Sequence, residues 1–259
     1  MTKDDNFLGT IWNSLIACTT VCMLTHVSNN GNFLAQVIHN ERDESRCTPG
    51  DGYCNLSVHY HMLLELFFDC LEAPRLLFLE KDLEIAPDFF SYFAAMAPVL
   101  DADQSLMCVS AWNDHGQSGR ASNTSAAYRT DIFPGLGWML TRPTGLELAA
   151  SWPDKYWDEY MRRPLARKGR QCIFPEVSRT RTYGAVGASG GQLYDTHLSS
   201  MLLNQDRIDW SEKVRKRRCR SKRVWRTVFL SLGQTVKTTG RPESEHLQHR
   251  ITSLCMSTR

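Results

Sequence analysis

A chain of 259 residues with 30 Lys/Arg against 28 Asp/Glu can bury one sizeable core or two small ones, and its net charge of +2 conceals an asymmetry. Residues 211–259 carry 13 basic and 3 acidic side chains, while the remainder carries 17 basic and 25 acidic, so an acidic body is joined to a basic tail. The 9 cysteines include no Cys-x-x-Cys pair, which argues against a structural zinc site and its four ligands.

The uncharged stretch 7–25 has the length of a membrane span but holds Asn13, Ser14 and several threonines, so it is a weak signal-anchor candidate. Residues 28–55 are polar and read as loop, with Asn29-Asn30-Gly31 and Pro49-Gly50-Asp51-Gly52 as turn signals. Val58, Met62, Leu63, Leu66 and Phe67 fall mostly at three- and four-residue steps and predict an amphipathic helix over 57–70. The apolar run Leu76-Leu77-Phe78-Leu79 predicts a buried strand, and it ends in Glu80-Lys81-Asp82. In open α/β sheets ligands bind beyond the carboxyl ends of strands, so these acids stand where a metal and a phosphate would meet. Lys81 is the exception, a cation between two candidate ligands.

Pro87-Asp88 marks a helix start, with Phe89, Phe90, Tyr92, Phe93 and Met96 turned inward. Residues 106–111 read as a second buried strand. Helix, strand, acidic turn, helix, strand is an α/β pattern, a sheet with crossover helices. Residues 115–126 read as surface loop, Gly135-Leu136-Gly137-Trp138 as a close-packed turn, and 144–163 as containing a helix that bears Trp152, Tyr156, Trp157 and Tyr160. Residues 184–191 read as a mobile glycine-rich loop, of a kind that can approach phosphates closely.

Nine Lys/Arg lie between Lys213 and Arg226 with no sustained apolar period, a solvated tail rather than a core element. Such a run attracts phosphates, but only Trp225 could stack on a base, so nucleic acid is not expected as a partner. The sequons Asn55-Leu56-Ser57 and Asn123-Thr124-Ser125 matter only in a secreted chain.

Several blocks are distinctive together. Leu79-Glu80-Lys81-Asp82-Leu83-Glu84-Ile85-Ala86-Pro87-Asp88-Phe89-Phe90 is followed by Cys108-Val109-Ser110-Ala111-Trp112-Asn113-Asp114. Tyr128-Arg129-Thr130-Asp131-Ile132-Phe133-Pro134-Gly135-Leu136-Gly137-Trp138, Trp152-Pro153-Asp154-Lys155-Tyr156-Trp157-Asp158 and Cys172-Ile173-Phe174-Pro175-Glu176-Val177-Ser178-Arg179-Thr180 complete the set. In this order they resemble the N-acetylglucosaminyltransferase I family over about residues 58–210. The relatives that extend protein O-mannose share much of the pattern.

The resemblance implies a GT-A-type nucleotide-sugar-binding α/β domain, a mixed sheet flanked by helices, with UDP-N-acetylglucosamine as donor, Mn²⁺ as cofactor and a high-mannose N-glycan as acceptor. It implies a lumenal domain at the Golgi membrane. It makes Asp82 the one protein ligand of the metal and Asp158 the catalytic base; by itself Asp158 reads as a solvated helix acid. His59, Glu80, Leu136 and Ser189 take donor-contacting positions, although a lone histidine such as His59 reads as structural. Cys108 and Cys172 match a family disulfide, which suits an oxidising compartment.

The sequence departs from the family in three places. Lys81 stands where an acid helps to hold the donor, which adds repulsion near a divalent cation. The family's first strand and its uridine-holding aspartate have no match before Val58, and the basic tail replaces the C-terminal domain. The expected organisation is therefore a divergent segment 1–56, a partial catalytic domain 57–210 and a poorly ordered tail 211–259, apparently truncated at both ends. Two alternatives remain beside N-glycan transfer: transfer to O-mannose, or an inactive remnant that binds glycan or a partner.

Overall fold

The computed structural model describes residues 14–18, 22–27, 33–38, 46–80, 82–183, 194 and 197–218, with backbone alone for the first three segments and for 215–218. Its centre is a six-stranded sheet in the order β1 (Ser14–Cys18), β4 (Arg75–Leu79), β8 (Trp138–Thr141), β6 (Leu106–Ser110), β9 (Gln171–Pro175), β7 (Ala127–Thr130). The β1/β4 and β6/β9 pairs are parallel and the other three antiparallel, so the sheet is mixed, as expected. Two antiparallel pairs stand apart: β2 (Cys22–Val27) with β3 (Phe33–Ile38), and β5 (Leu83–Ile85) with β10 (Thr180–Thr182).

Period-two alternation divides the core into two layers. Leu76 and Phe78 of β4 and Trp138 and Leu140 of β8 enter one apolar cluster. Leu77 and Met139, the residues between them, enter the other. The first layer packs against α1 (Gly52–Leu64), α3 (Arg142–Ala149), α4 (Trp157–Arg162) and α5 (Pro164–Arg167). The second packs against α2 (Phe89–Ala102) and α6 (Trp210–Arg218). Strands buried on both faces read as continuous apolar runs, which is why β4 and β6 are visible in the sequence.

Local chemistry sets the element ends. Asp51 caps α1 by accepting from the Cys54 N–H at 3.0 Å. Beyond Leu64 the helix widens into a π-helical stretch, Glu65–Cys70, before the chain turns into β4. The disulfide Cys47–Cys54 fastens the turn that leads into α1.

Four expectations are corrected. The stretch 7–25 supplies β1 and the start of β2 rather than an apolar helix, and no helix among the described residues is long and apolar enough to cross a membrane. The expected loop 28–55 contains β3 and the first turn of α1. The helix expected within 144–163 is two helices, because Pro153 cannot donate a helical hydrogen bond and Tyr156 takes a left-handed φ of 56°. Phe90 lies outward, 38% exposed, since the helical period turns 89, 92, 93 and 96 inward but not 90.

A buried charged network fastens the segment after β10 to the core. Arg179 and Asp88 pair at 3.0 Å, both almost wholly buried. The same Asp88 carboxylate accepts from Asn204 Nδ2 at 2.7 Å and from Trp210 Nε1 at 2.7 Å. Arg179 also donates to the Val177 and Thr124 carbonyls, and its guanidinium lies 4.8 Å from the Trp210 ring centroid. Every polar group of the pair is thus engaged, the condition under which a buried ion pair is tolerated.

Candidate active site

Three carboxylates converge past the end of β4. Glu80 follows the strand directly, Asp82 precedes β5, and Asp158 lies in the first turn of α4. Burial pushes the Glu80 carboxyl up to about 7, and the negative charges of Asp82 and then Asp158 act in the same direction. A hydrogen bond from the Tyr60 hydroxyl, 3.2 Å from Glu80 Oε1, opposes them. Glu80 keeps some surface as a residue, but its carboxyl group is set in protein.

An aromatic cluster holds Glu80 and Asp158 in relation to one another. The Tyr60 ring lies 4.1 Å from that of Trp157, the residue before Asp158, and 5.5 Å from Phe78 on β4. Trp138 stacks on Phe78 at 4.1 Å and on Trp157 at 5.6 Å. The turn before α4 is tied to α1 twice: Trp152 Nε1 donates to the Ser57 carbonyl at 2.9 Å, and Ser57 Oγ donates to the Pro153 carbonyl at 2.6 Å. Asp158 itself is paired with Arg162, whose Nη1 donates to Oδ2 at 2.8 Å.

The remaining residues singled out in the sequence are distributed around this edge. His59 neighbours Tyr60 on α1, with its side chain buried. Leu136 sits in a turn of three consecutive left-handed residues, with φ of 73°, 44° and 89° at Gly135, Leu136 and Gly137. A Cβ at Gly137 would lie 2.9 Å from Thr180 Cγ2 and 3.3 Å from Ala111 Cβ, so the close-packed turn requires glycine there. The Leu136 carbonyl accepts from Thr180 Oγ1 at 2.6 Å, which ties this turn to β10. Tyr183 donates its backbone N–H to the Asp82 carbonyl at 3.0 Å, so the chain enters the glycine-rich segment beside Asp82. Lys81 and Ser189 lie outside the described residues.

Cys108 and Cys172 form a disulfide, and they are register partners on the parallel strands β6 and β9. Sequence reasoning missed Tyr60, Arg162 and the Cys47–Cys54 bridge. Arg162 has a visible signal, its four-residue spacing from Asp158 on a helix. Tyr60 has only its place on the inward face of α1, and cysteine connectivity is not deducible from sequence.

The Glu80 environment predicts a pH dependence. Its folded value lies above the ordinary value of 4.5, so its contribution is fully present below about 4.5 and lost as pH rises through about 7. In metal-free buffer, unfolding stability should fall by at most about 3 kcal/mol between pH 4.5 and 8 on this account. Glu80→Gln should remove that slope and be the more stable form at pH 8, as measured by chemical denaturation. Parallel pH profiles for the two proteins would contradict the desolvation of this carboxyl.

A mixed, helix-flanked sheet with acids at the carboxyl end of a strand defines a GT-A-like α/β domain. The chain belongs to the GNT-I family, whose model matches residues 18–220. It is 44% identical over 167 residues to an alpha-1,3-mannosyl-glycoprotein 2-beta-N-acetylglucosaminyltransferase of Arabidopsis thaliana, an alignment covering 64% of this chain and 38% of the relative. The chain thus matches about two fifths of the length of that curated relative. The family match begins well before residue 58, where the resemblance was expected to start, and β1 lies parallel to β4 in the central sheet.

Proposed function

We propose that the chain is an inverting glycosyltransferase that moves N-acetylglucosamine from UDP-N-acetylglucosamine to a terminal α-1,3-linked mannose of N-glycans. The observation that carries this reading is the convergence of Glu80, Asp82 and Asp158 at one sheet edge, in a chain of this family. Asp158 takes the proton of the acceptor hydroxyl as that oxygen attacks the anomeric carbon. The bond between sugar and diphosphate breaks, its electron pair leaves with UDP, and direct displacement inverts the configuration. Glu80, beside the Tyr60 hydroxyl, can hydrogen-bond a sugar hydroxyl. His59, Leu136, Ser189 and Lys81 are assigned to the donor by resemblance.

No group of three or more His, Cys, Asp and Glu side chains arranged to hold a metal occurs among the described residues. The residues do fit a divalent cation held through one carboxylate. Asp82 is that carboxylate, and the Glu80 carboxyl near it is pushed up first by burial and then by the negative charge of Asp82. Mn²⁺ bound there would neutralise charge on the departing diphosphate. The two disulfides suit an oxidising compartment, in keeping with a Golgi lumenal domain.

The test is transfer from UDP-N-acetylglucosamine, with and without Mn²⁺, to a high-mannose N-glycan and to an O-mannosyl peptide. Metal-dependent transfer to the N-glycan is expected. Transfer to the peptide alone would reassign the acceptor. No transfer to either, with Lys81→Asp restoring none, would mark a binding remnant instead of an enzyme.

A further inference from the structure

Asp158 and Arg162 lie one helical turn apart on α4, and the guanidinium engages one carboxylate oxygen only. Nη1 of Arg162 donates to Oδ2 at 2.8 Å, and no hydrogen bond among the described residues reaches Oδ1. Both side chains are about one-third exposed, at 32% and 33%. Among the described residues, Arg162 is the one cation paired with any of the three acids at this edge. Trp157, on the core side of the same helix, is fixed by Tyr60 and Trp138, so the helix backbone does not need this pair to hold its place.

We propose that Arg162 is a positioning residue for the transfer: it clamps Oδ2 of Asp158 and so leaves Oδ1 as the oxygen that receives the acceptor's proton. The inference rests on the reading of Asp158 as the base. A guanidinium hydrogen-bonded to one oxygen of a carboxylate fixes the carboxylate's orientation. Misplacement of a reacting group by ~1 Å costs roughly 10²-fold in rate. Removal of the arginine therefore slows the reaction.

A merely structural pair gives a different result. Exposed pairs at this spacing contribute only tenths of a kcal/mol, so their loss barely moves stability and leaves turnover untouched. The experiment compares the full chain with Arg162→Ala, Arg162→Lys and Asp158→Asn, measuring kcat, donor KM and thermal midpoint. Arg162→Ala is expected to lower kcat by about 10- to 100-fold, with donor KM and thermal midpoint close to wild type. Arg162→Lys should restore part of the loss, since an ammonium keeps the charge but not the planar fork. An unchanged kcat in Arg162→Ala beside an inactive Asp158→Asn would overturn the positioning role alone. Full activity in Asp158→Asn, or no turnover by the wild-type chain, would remove the base assignment and this inference with it.

Discussion

Asp158→Asn should lower kcat by about 10²–10⁴-fold, the range supplied by a positioned general base. The amide keeps the shape of the carboxylate and can still accept from Arg162, so the α4 geometry survives the change. Its ring anchor, Trp157, is untouched and stays in the cluster with Tyr60 and Trp138. Donor binding should change little, because the proton comes from the acceptor. The measurement is initial-rate kinetics at saturating donor, with a thermal midpoint to confirm folding. Activity within a few-fold of wild type would remove Asp158 from the chemistry and return it to the role of a solvated acid in the first turn of a helix.

The largest stability effect is expected at Arg179. Replacement by Met removes the cation from a site where both partners are almost wholly buried, leaving the Asp88 carboxylate with only Asn204 and Trp210. Breaking a buried pair from one side costs about 3–5 kcal/mol. For a chain of this size that corresponds to a fall of about 10 °C in thermal midpoint. The effect reaches the site, because Arg179 immediately precedes β10, which pairs with β5 behind Asp82 and holds the Leu136 turn through Thr180. Arg179→Met should therefore also weaken donor affinity. A midpoint within 2 °C of wild type would show that the network is not what secures Asn204 and Trp210 to the core.

The parts of the fold legible in the sequence are those buried on both faces. Leu76-Leu77-Phe78-Leu79 and residues 106–110 are continuous apolar runs, and both are central strands. The start of α2 after Pro87-Asp88 follows from local turn chemistry, and Asp88 does stand at its N-cap. Short elements set among turn residues are harder to see. Within the stretch 28–55, the largely apolar run Phe33–Ile38 is flanked by Asn29-Asn30-Gly31 and by the charged residues after Asn40, and it forms β3 against β2. Phe90 is apolar, yet its position on the helical wheel turns it to solvent.

The site shows the same division. Glu80-Lys81-Asp82 announces itself by following a buried strand. Asp158 becomes prominent only through the family resemblance, since an acid in the first turn of a helix is ordinary. What brings the two together is tertiary: Tyr60 places its hydroxyl on Glu80 and its ring on Trp157, residues 20 apart in the first case and far apart in the second. No periodicity in the sequence encodes that contact. Cys108 and Cys172 illustrate the opposite case, a pairing implied by resemblance and realised as a bridge between neighbouring strands.

The central claim is that this acidic edge binds a nucleotide sugar through a metal held by Asp82. Its most direct test is isothermal calorimetry of UDP-N-acetylglucosamine binding to the full chain, with and without Mn²⁺, beside Asp82→Asn. The account predicts binding that requires Mn²⁺ and is lost in the variant. Binding of equal strength without the metal, or undiminished in Asp82→Asn, would contradict it.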